Sequence, residues 1–265
     1  MKRNRIIIIG VLVFSILIFS FYFHDRFSQS KYLQFYQVDT KKDSVLKIGI
    51  IGDSWAAGKK LDSILHNQLL KRGLNNKIIS SGKPGAKSKA VYQNLFKNKE
   101  DKFSSKVVIE NKPDYCILIL GVNDAASQIG RHYYSYHMVQ IIKTLLHYKI
   151  KPILVTCPEF DIEETIDNMN ILSRNRNIIS AYFNNNGEID NIKTYRKTLM
   201  EELASEELVN DIVLIDFDRV CPDYKNCSQM YRNSSHLSEK GNVKLIEVIV
   251  GELVNEIPQL GQHTH

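Results

Sequence analysis

Five short, largely apolar runs recur along this chain: Lys47–Ile51, Ile78–Ile79, Tyr115–Leu120, Ile153–Val155 and Ile212–Ile215. The stretches between and after them place apolar residues at helical spacing. These are Leu61, Leu65, Leu69 and Leu70; then Val91, Leu95 and Phe96; then Tyr134, Met138, Ile141, Ile142 and Leu145; then Tyr195 to Leu203; and last Val243, Ile246, Ile249 and Val250. A period of 2 or a short unbroken apolar run marks a strand, and a period near 3.6 marks a helix. Their alternation predicts a doubly wound, three-layer α/β domain with a mostly parallel sheet of about five strands, because consecutive parallel strands need a crossover helix. Tyr115–Leu120 has no polar position, as expected of a strand buried on both faces. Phe160 to Asn191 interrupts the pattern: it is rich in Asn and charge, carries the turn Asn184-Asn185-Asn186-Gly187, and leaves room for one irregular helix around Ile171 to Tyr182.

With 265 residues and 43% apolar content the chain can bury one substantial core. The formal charge is +6, of which the first 26 residues supply +3 through Lys2, Arg3, Arg5 and Arg26 against Asp25. The remainder is too small and scattered to argue for a nucleic-acid partner. Those leading cations precede an apolar run of 18 residues, Ile6 to Phe23. As a helix it would reach about 27 Å, close to the thickness of a bilayer core. It therefore reads as one N-terminal transmembrane helix, a signal-anchor, rather than a cleaved leader, since Phe21-Tyr22-Phe23-His24 offers no small-x-small cleavage site. Lys2, Arg3 and Arg5 keep that end in the cytoplasm and put the remainder outside it. Asp25 to Ser44, polar with Tyr32, Phe35 and Tyr36, reads as a tether or a strap lying against the domain.

The first apolar run ends at Gly52-Asp53-Ser54-Trp55. A strand that stops there delivers the Ser54 hydroxyl to the carboxyl edge of the sheet, where open α/β folds bind ligands. Ser54 is the candidate nucleophile. Three further stretches follow in order: Gly82-Lys83-Pro84-Gly85, Gly121-Val122-Asn123-Asp124 and Asn233-Ser234-Ser235-His236-Leu237. Taken singly they read as a helix cap, a turn, an Asx turn and a surface loop. In this order and spacing they resemble the signature blocks of the SGNH (GDSL-type) hydrolases, over roughly Lys47 to Leu253.

A serine hydroxyl needs a base to take its proton as it attacks. His236, on a polar loop just before Ser238, itself the expected N-cap of the last helix, is the candidate base. The resemblance assigns the oxyanion hole to the backbone N–H groups of Ser54 and Gly85 and the side-chain amide of Asn123, the loss of each such donor raising the barrier by about 3 kcal/mol. Gly85 lets the backbone approach closely. The chain departs from the family pattern at Asn233, where an Asp normally accepts the imidazole N–H. An amide can orient the ring but cannot neutralise the imidazolium, and in a serine protease the Asp-to-Asn change lowers kcat roughly 10⁴-fold. Either Ser54 and His236 work as a pair, or another carboxylate such as Asp216, Asp218 or Asp223 assists, or the site is weak or dead.

Cys116, in an apolar strand, and Cys157, at a strand end, read as buried thiols. Cys221 and Cys227 flank a short polar loop; outside the cytoplasm the pair could be bridged, whereas inside it both would stay reduced. No metal and no cofactor is expected. Gly58-Lys59-Lys60 does not make a phosphate loop, since five residues separate Gly52 from Gly58 and Lys60 stands where Ser or Thr should be. Nor does Asp53-Ser54-Trp55-Ala56 supply the Gly-x-Ser-x-Gly elbow of α/β-hydrolases. The organisation expected is an anchor over residues 1–26, a tether over 27–46 and an SGNH-like domain over 47–258. The resemblance implies an esterase acting through a Ser54 acyl-enzyme on short acyl groups, such as acetyl, of a cell-surface glycan, outside a bacterial cytoplasmic membrane. Its alternatives are an O-acyltransferase to a polysaccharide hydroxyl, or an impaired glycan-binding protein.

Overall fold

β1 (Leu46–Gly52) is the second strand of a five-stranded sheet, with β2 (Asn76–Gly82) at the edge on one side and β3 (Tyr115–Ile119), β4 (Lys151–Val155) and β5 (Val213–Ile215) following on the other. Every pairing is parallel. The order β2-β1-β3-β4-β5 reverses direction between β1 and β3, and such reversals open a crevice at the carboxyl ends of the strands. The computed structural model describes residues 9–20, 35–38 and 45–257. The chain divides into two units, Met1–Lys31 and Tyr32–His265.

The helices cover the sheet on two sides. α1 (Lys60–Leu70) packs with the last helix, while α2 (Ser88–Asn94) packs on α5 (Arg131–His147) and α5 on α8 (Ile192–Ser205). Between them stand the short α3 (Lys106–Glu110), α4 (Val122–Ala126), α6 (Ile162–Asp167) and the longer α7 (Ile171–Asn184). After β5 come α9 (Tyr224–Cys227), an antiparallel pair of short strands, β6 (Tyr231–Asn233) and β7 (His236–Leu237), and α10 (Glu239–Glu256). All five expected strands are present; β1, β2 and β4 are longer than their apolar runs, while β3 and β5 are each one residue shorter. The core is formed by the sheet residues Ile48, Ile50, Ile51 and Ile117 with Leu65, Leu69 and Ile249 from the helices, each at most 1% exposed.

The irregular stretch after β4 holds two helices rather than one. Each begins at a residue whose side chain accepts a backbone N–H of the first turn: Asp161 from Glu164, and Asn170 from Ser173. The amphipathic signal of α6 is too short to read, since it spans fewer than two turns.

Residues 35–38 lie against the α/β unit as a strap. Phe35 stacks on His147 with ring centroids 3.8 Å apart. The Tyr36 hydroxyl donates to the Leu95 carbonyl at 3.0 Å, and its backbone N–H donates to the Tyr148 hydroxyl at 3.0 Å. The Lys106 ammonium stands 4.3 Å from the Tyr36 ring centroid. Tyr32, expected to share this role, lies outside the described residues.

Residues 9–20, inside the expected membrane run, are helical with exposed side chains, and the ends of the run lie outside the described residues. Among the described residues no helix is long and apolar enough to cross a membrane.

Candidate active site

Three loops leave the sheet at one level. Gly52 pairs with Gly82 of β2 and with Ile119 of β3, so the chain segments carrying Ser54, Gly85 and Asn123 all start from the same rung at the carboxyl edge. Gly52 is required there by contact: a Cβ on it would lie 1.9 Å from the Ile119 carbonyl oxygen. The Asp53 N–H then donates to that same carbonyl at 3.3 Å, which turns the chain out of the sheet. Gly85 takes φ +72°, a left-handed conformation that glycine adopts without penalty, in a turn closed by the Ala86 N–H on the Lys83 carbonyl.

Asp53 is fully buried and holds two parts of the site at once. One carboxyl oxygen accepts the Trp55 N–H at 3.0 Å, and the other accepts the Asn123 side-chain amide at 3.1 Å. The Asn123 nitrogen carries two hydrogens, so one is fixed to Asp53 and the second remains available. Burial is the main cause that pushes the Asp53 carboxyl up to about 7, with Asp124 adding to it and the two hydrogen bonds opposing. Asp124, equally buried, accepts the Ser88 N–H and, at 2.6 Å, the Ser88 hydroxyl; burial raises it to about 6. Asp124 thus fastens the start of α2 to α4, which carries Asn123.

His236 reaches this edge from β7. Its Nε2 is 2.9 Å from the Ser54 Oγ, and its Nδ1 is 3.2 Å from the Asn233 Oδ1 and 3.2 Å from the Ser235 hydroxyl. The Asn233 oxygen also accepts the Ser235 N–H at 3.2 Å. Trp55 locks the two sequence-distant blocks together, its indole N–H donating to the Ser235 carbonyl at 3.0 Å across 180 residues of chain. On the other side, the Asp161 N–H donates to the Ser234 carbonyl at 2.8 Å and the Thr165 hydroxyl to the Ser234 hydroxyl at 3.0 Å. His236 is half-buried, and this desolvation, followed by the nearby Arg232 guanidinium, lowers its pKa below the ordinary value of 6.5.

Ser54, His236 and Asn233 are therefore together, with Asn123 joined to them through Asp53. The alternative of a distant carboxylate is corrected by the geometry. Asp216 accepts the Asp218 N–H at 3.1 Å, Asp218 pairs with Arg196, and Asp223 accepts the Lys225 N–H at 2.9 Å; none is bonded to His236. Each is occupied in capping a short helical turn or in a partly buried ion pair. Ser238 caps α10, as expected, accepting the Gly241 N–H. Sequence reasoning missed the support given by Asp53, Asp124 and Ser88; the readable signal was an acidic residue inside each of two glycine-led blocks.

A cleft of about 450 Å³ opens beside the pair, lined by Ser54, Trp55, Lys60, Leu61, Arg232 and His236 among others. Gly85 and Asn123 stand outside its lining. Cys221 and Cys227 are joined by a disulfide, with Cα atoms 5.9 Å apart, in the segment leading to β6; Cys116 and Cys157 are buried free thiols. Among the described residues no three His, Cys, Asp or Glu side chains gather as metal ligands would. The arrangement can deprotonate a serine hydroxyl in place and meet a developing anion with an anchored amide.

No family model and no curated protein matches the sequence. Solved structures do. The lipase/acylhydrolase of Enterococcus faecalis superposes with a TM-score of 0.59 at 20% identity, over 80% of this chain and 97% of that one. An acetyl xylan esterase matches with a TM-score of 0.55 at 20% identity, over 78% of this chain and 98% of that one. The acetylxylan esterase of Geobacillus stearothermophilus matches with a TM-score of 0.55 at 15% identity, over 78% and 94% respectively.

Proposed function

We propose, from the premise that this chain has the fold of the GDSL-type lipases and acetyl xylan esterases, that it is an SGNH-type carboxylic ester hydrolase. The observation that carries this reading is the 2.9 Å contact between the His236 Nε2 and the Ser54 Oγ at the sheet's carboxyl edge. Ser54 attacks the acyl carbon while His236 takes its proton. The oxyanion so formed is met by the N–H groups of Ser54 and Gly85 and by the free hydrogen of the Asn123 amide. Collapse releases the alcohol, which takes the proton back from His236. Water, deprotonated by the same imidazole, then attacks the acyl-enzyme and frees the acid and Ser54.

The substrate we infer is a short acyl ester, acetyl above all, on a glycan outside the cytoplasm. Structural neighbours named as acetyl xylan esterases support the acyl group. The Cys221–Cys227 disulfide supports an oxidising compartment, and the basic residues before Ile6–Phe23 support a membrane-held chain with its α/β unit outside.

The test is hydrolysis of p-nitrophenyl acetate by the purified protein together with labelling by a fluorophosphonate. Turnover abolished by Ser54→Ala, and a mass shift localised to Ser54, are expected. A wild-type protein that neither turns over the ester nor takes the label would overturn the reading. Added protease should reach the α/β unit in spheroplasts; complete protection would overturn its location.

A further inference from the structure

The cleft beside Ser54 is lined by two cations that no carboxylate among the described residues pairs with. Lys60, the first residue of α1, and Arg232, in β6, both line it and are exposed, and neither has an ion-pair partner among the described residues. Arg174, Arg196 and Arg219, by contrast, each pair with a carboxylate. Glu239 is the one carboxylate in the described lining.

Arg232 is also badly placed for a bare Ser-His pair. His236 must become a cation as Ser54 attacks, yet its Nδ1 faces the neutral Asn233 amide and a guanidinium stands close enough to oppose its protonation. Like charges disfavour each other's charged forms, and an anion beside either one relieves both. Among the charged residues that line the cleft, two cations, Lys60 and Arg232, stand with one carboxylate, Glu239, where substrate enters.

We propose that the site is built for esters carried on an anionic glycan, whose carboxylate or phosphate group lies against Arg232 and Lys60 while the acyl group meets Ser54. The inference rests on the hydrolase reading and names its substrate class. The bound anion offsets the repulsion between Arg232 and the imidazolium, so the charge that Asn233 lacks comes with the substrate. Exposed ion pairs are individually weak, a few-fold each, and are screened by salt.

The experiment compares kcat/KM for three acetyl esters: an acetylated oligogalacturonate, an acetylated neutral xylo-oligosaccharide and p-nitrophenyl acetate, with an acetylated sugar phosphate as a further arm. The wild-type protein should favour the oligogalacturonate over the xylo-oligosaccharide at least fivefold at low salt, and the preference should shrink at 0.5 M salt. Arg232→Gln and Lys60→Gln should each cut it two- to fivefold, Arg232→Lys should retain most of it, and Arg232→Gln should raise turnover of p-nitrophenyl acetate. A preference for the sugar phosphate over the oligogalacturonate would assign the anion as phosphate. Binding is read separately with Ser54→Ala, through the fluorescence of Trp55, the only tryptophan in the chain and part of the cleft lining. Unmodified oligogalacturonate should perturb it and xylo-oligosaccharide should not. Equal rates on the anionic and neutral glycans, or a preference that persists in the double variant, would overturn the inference while leaving the hydrolase reading intact. Failure on every ester, p-nitrophenyl acetate included, would remove the hydrolase reading and this inference together.

Discussion

Asn233 holds the imidazole of His236 as an aspartate would, at 3.2 Å, but brings no charge to it. Asn233→Asp should therefore raise kcat on an activated ester, by an amount up to the roughly 10⁴ that the reverse change costs in a serine protease. Steady-state kinetics of the two proteins on p-nitrophenyl acetate decide the matter, and a fall in kcat would contradict the assignment. His236 must be neutral to act, and its pKa is lowered by burial and then by Arg232. The acid limb of kcat/KM should accordingly fall below pH 6.5, because the base stays deprotonated to lower pH, and Arg232→Gln should move that limb upward. Asn123→Ala should lower kcat by roughly 10²- to 10³-fold, the usual loss for one oxyanion donor. Ser54, His236, Asn233 and Asn123 were legible because their four blocks, in order, resemble the signature blocks of the SGNH hydrolases. Asp53 was not recognised as the residue that holds the Asn123 amide, nor the Ser235 carbonyl as the partner of Trp55. Both roles depend on distances across 70 and 180 residues that no local pattern encodes.

The strand β1 depends on a glycine that its neighbours leave no room to replace. In Gly52→Ala the new methyl would fall 1.9 Å from the Ile119 carbonyl, a backbone atom that moves only with β3. Overpacking of this kind costs about 1–3 kcal/mol and often more, so urea denaturation should show a lower midpoint, with activity lost as Ser54 shifts. The disulfide closes a short loop, its cysteines separated by 6 in sequence, just before β6. Loop-closure entropy puts its contribution at about 2 kcal/mol, so reduction should lower the Tm and reduce esterase turnover by loosening the segment that carries His236. Both cysteines should resist alkylation until reduced. Strands and long helices were readable from their periodicity. α3, α4, α6 and α9 span 4 to 6 residues each, too few for a helical repeat, and exist because the surrounding fold pins them. The pair β6 and β7 has no alternation to read, being 3 and 2 residues long.

For the whole α/β unit, alternating strands and helices implied a parallel sheet, but not the order in which the strands lie. The order matters because its reversal between β1 and β3 is what sets Ser54 and Asn123 side by side. The strap of residues 35–38 was suspected from its aromatics, while its docking place was hidden, since it depends on where α2, α3 and α5 end. Tyr36→Ala should lower the Tm, by about 1–3 kcal/mol in stability for a half-buried aromatic, and leave kcat unchanged because Tyr36 is remote from Ser54. That docking place has a bearing on what the enzyme can reach. Tyr148 sits between α5 and β4, and Leu95 beyond the end of α2, so the strap meets the unit at the amino ends of the strands, whereas Ser54 opens at their carboxyl ends. The seven residues of β1 hold these poles about 23 Å apart. The strap and the mouth of the cleft thus stand at opposite poles of the sheet, so whatever is seated at Ser54 arrives from the side away from residues 35–38.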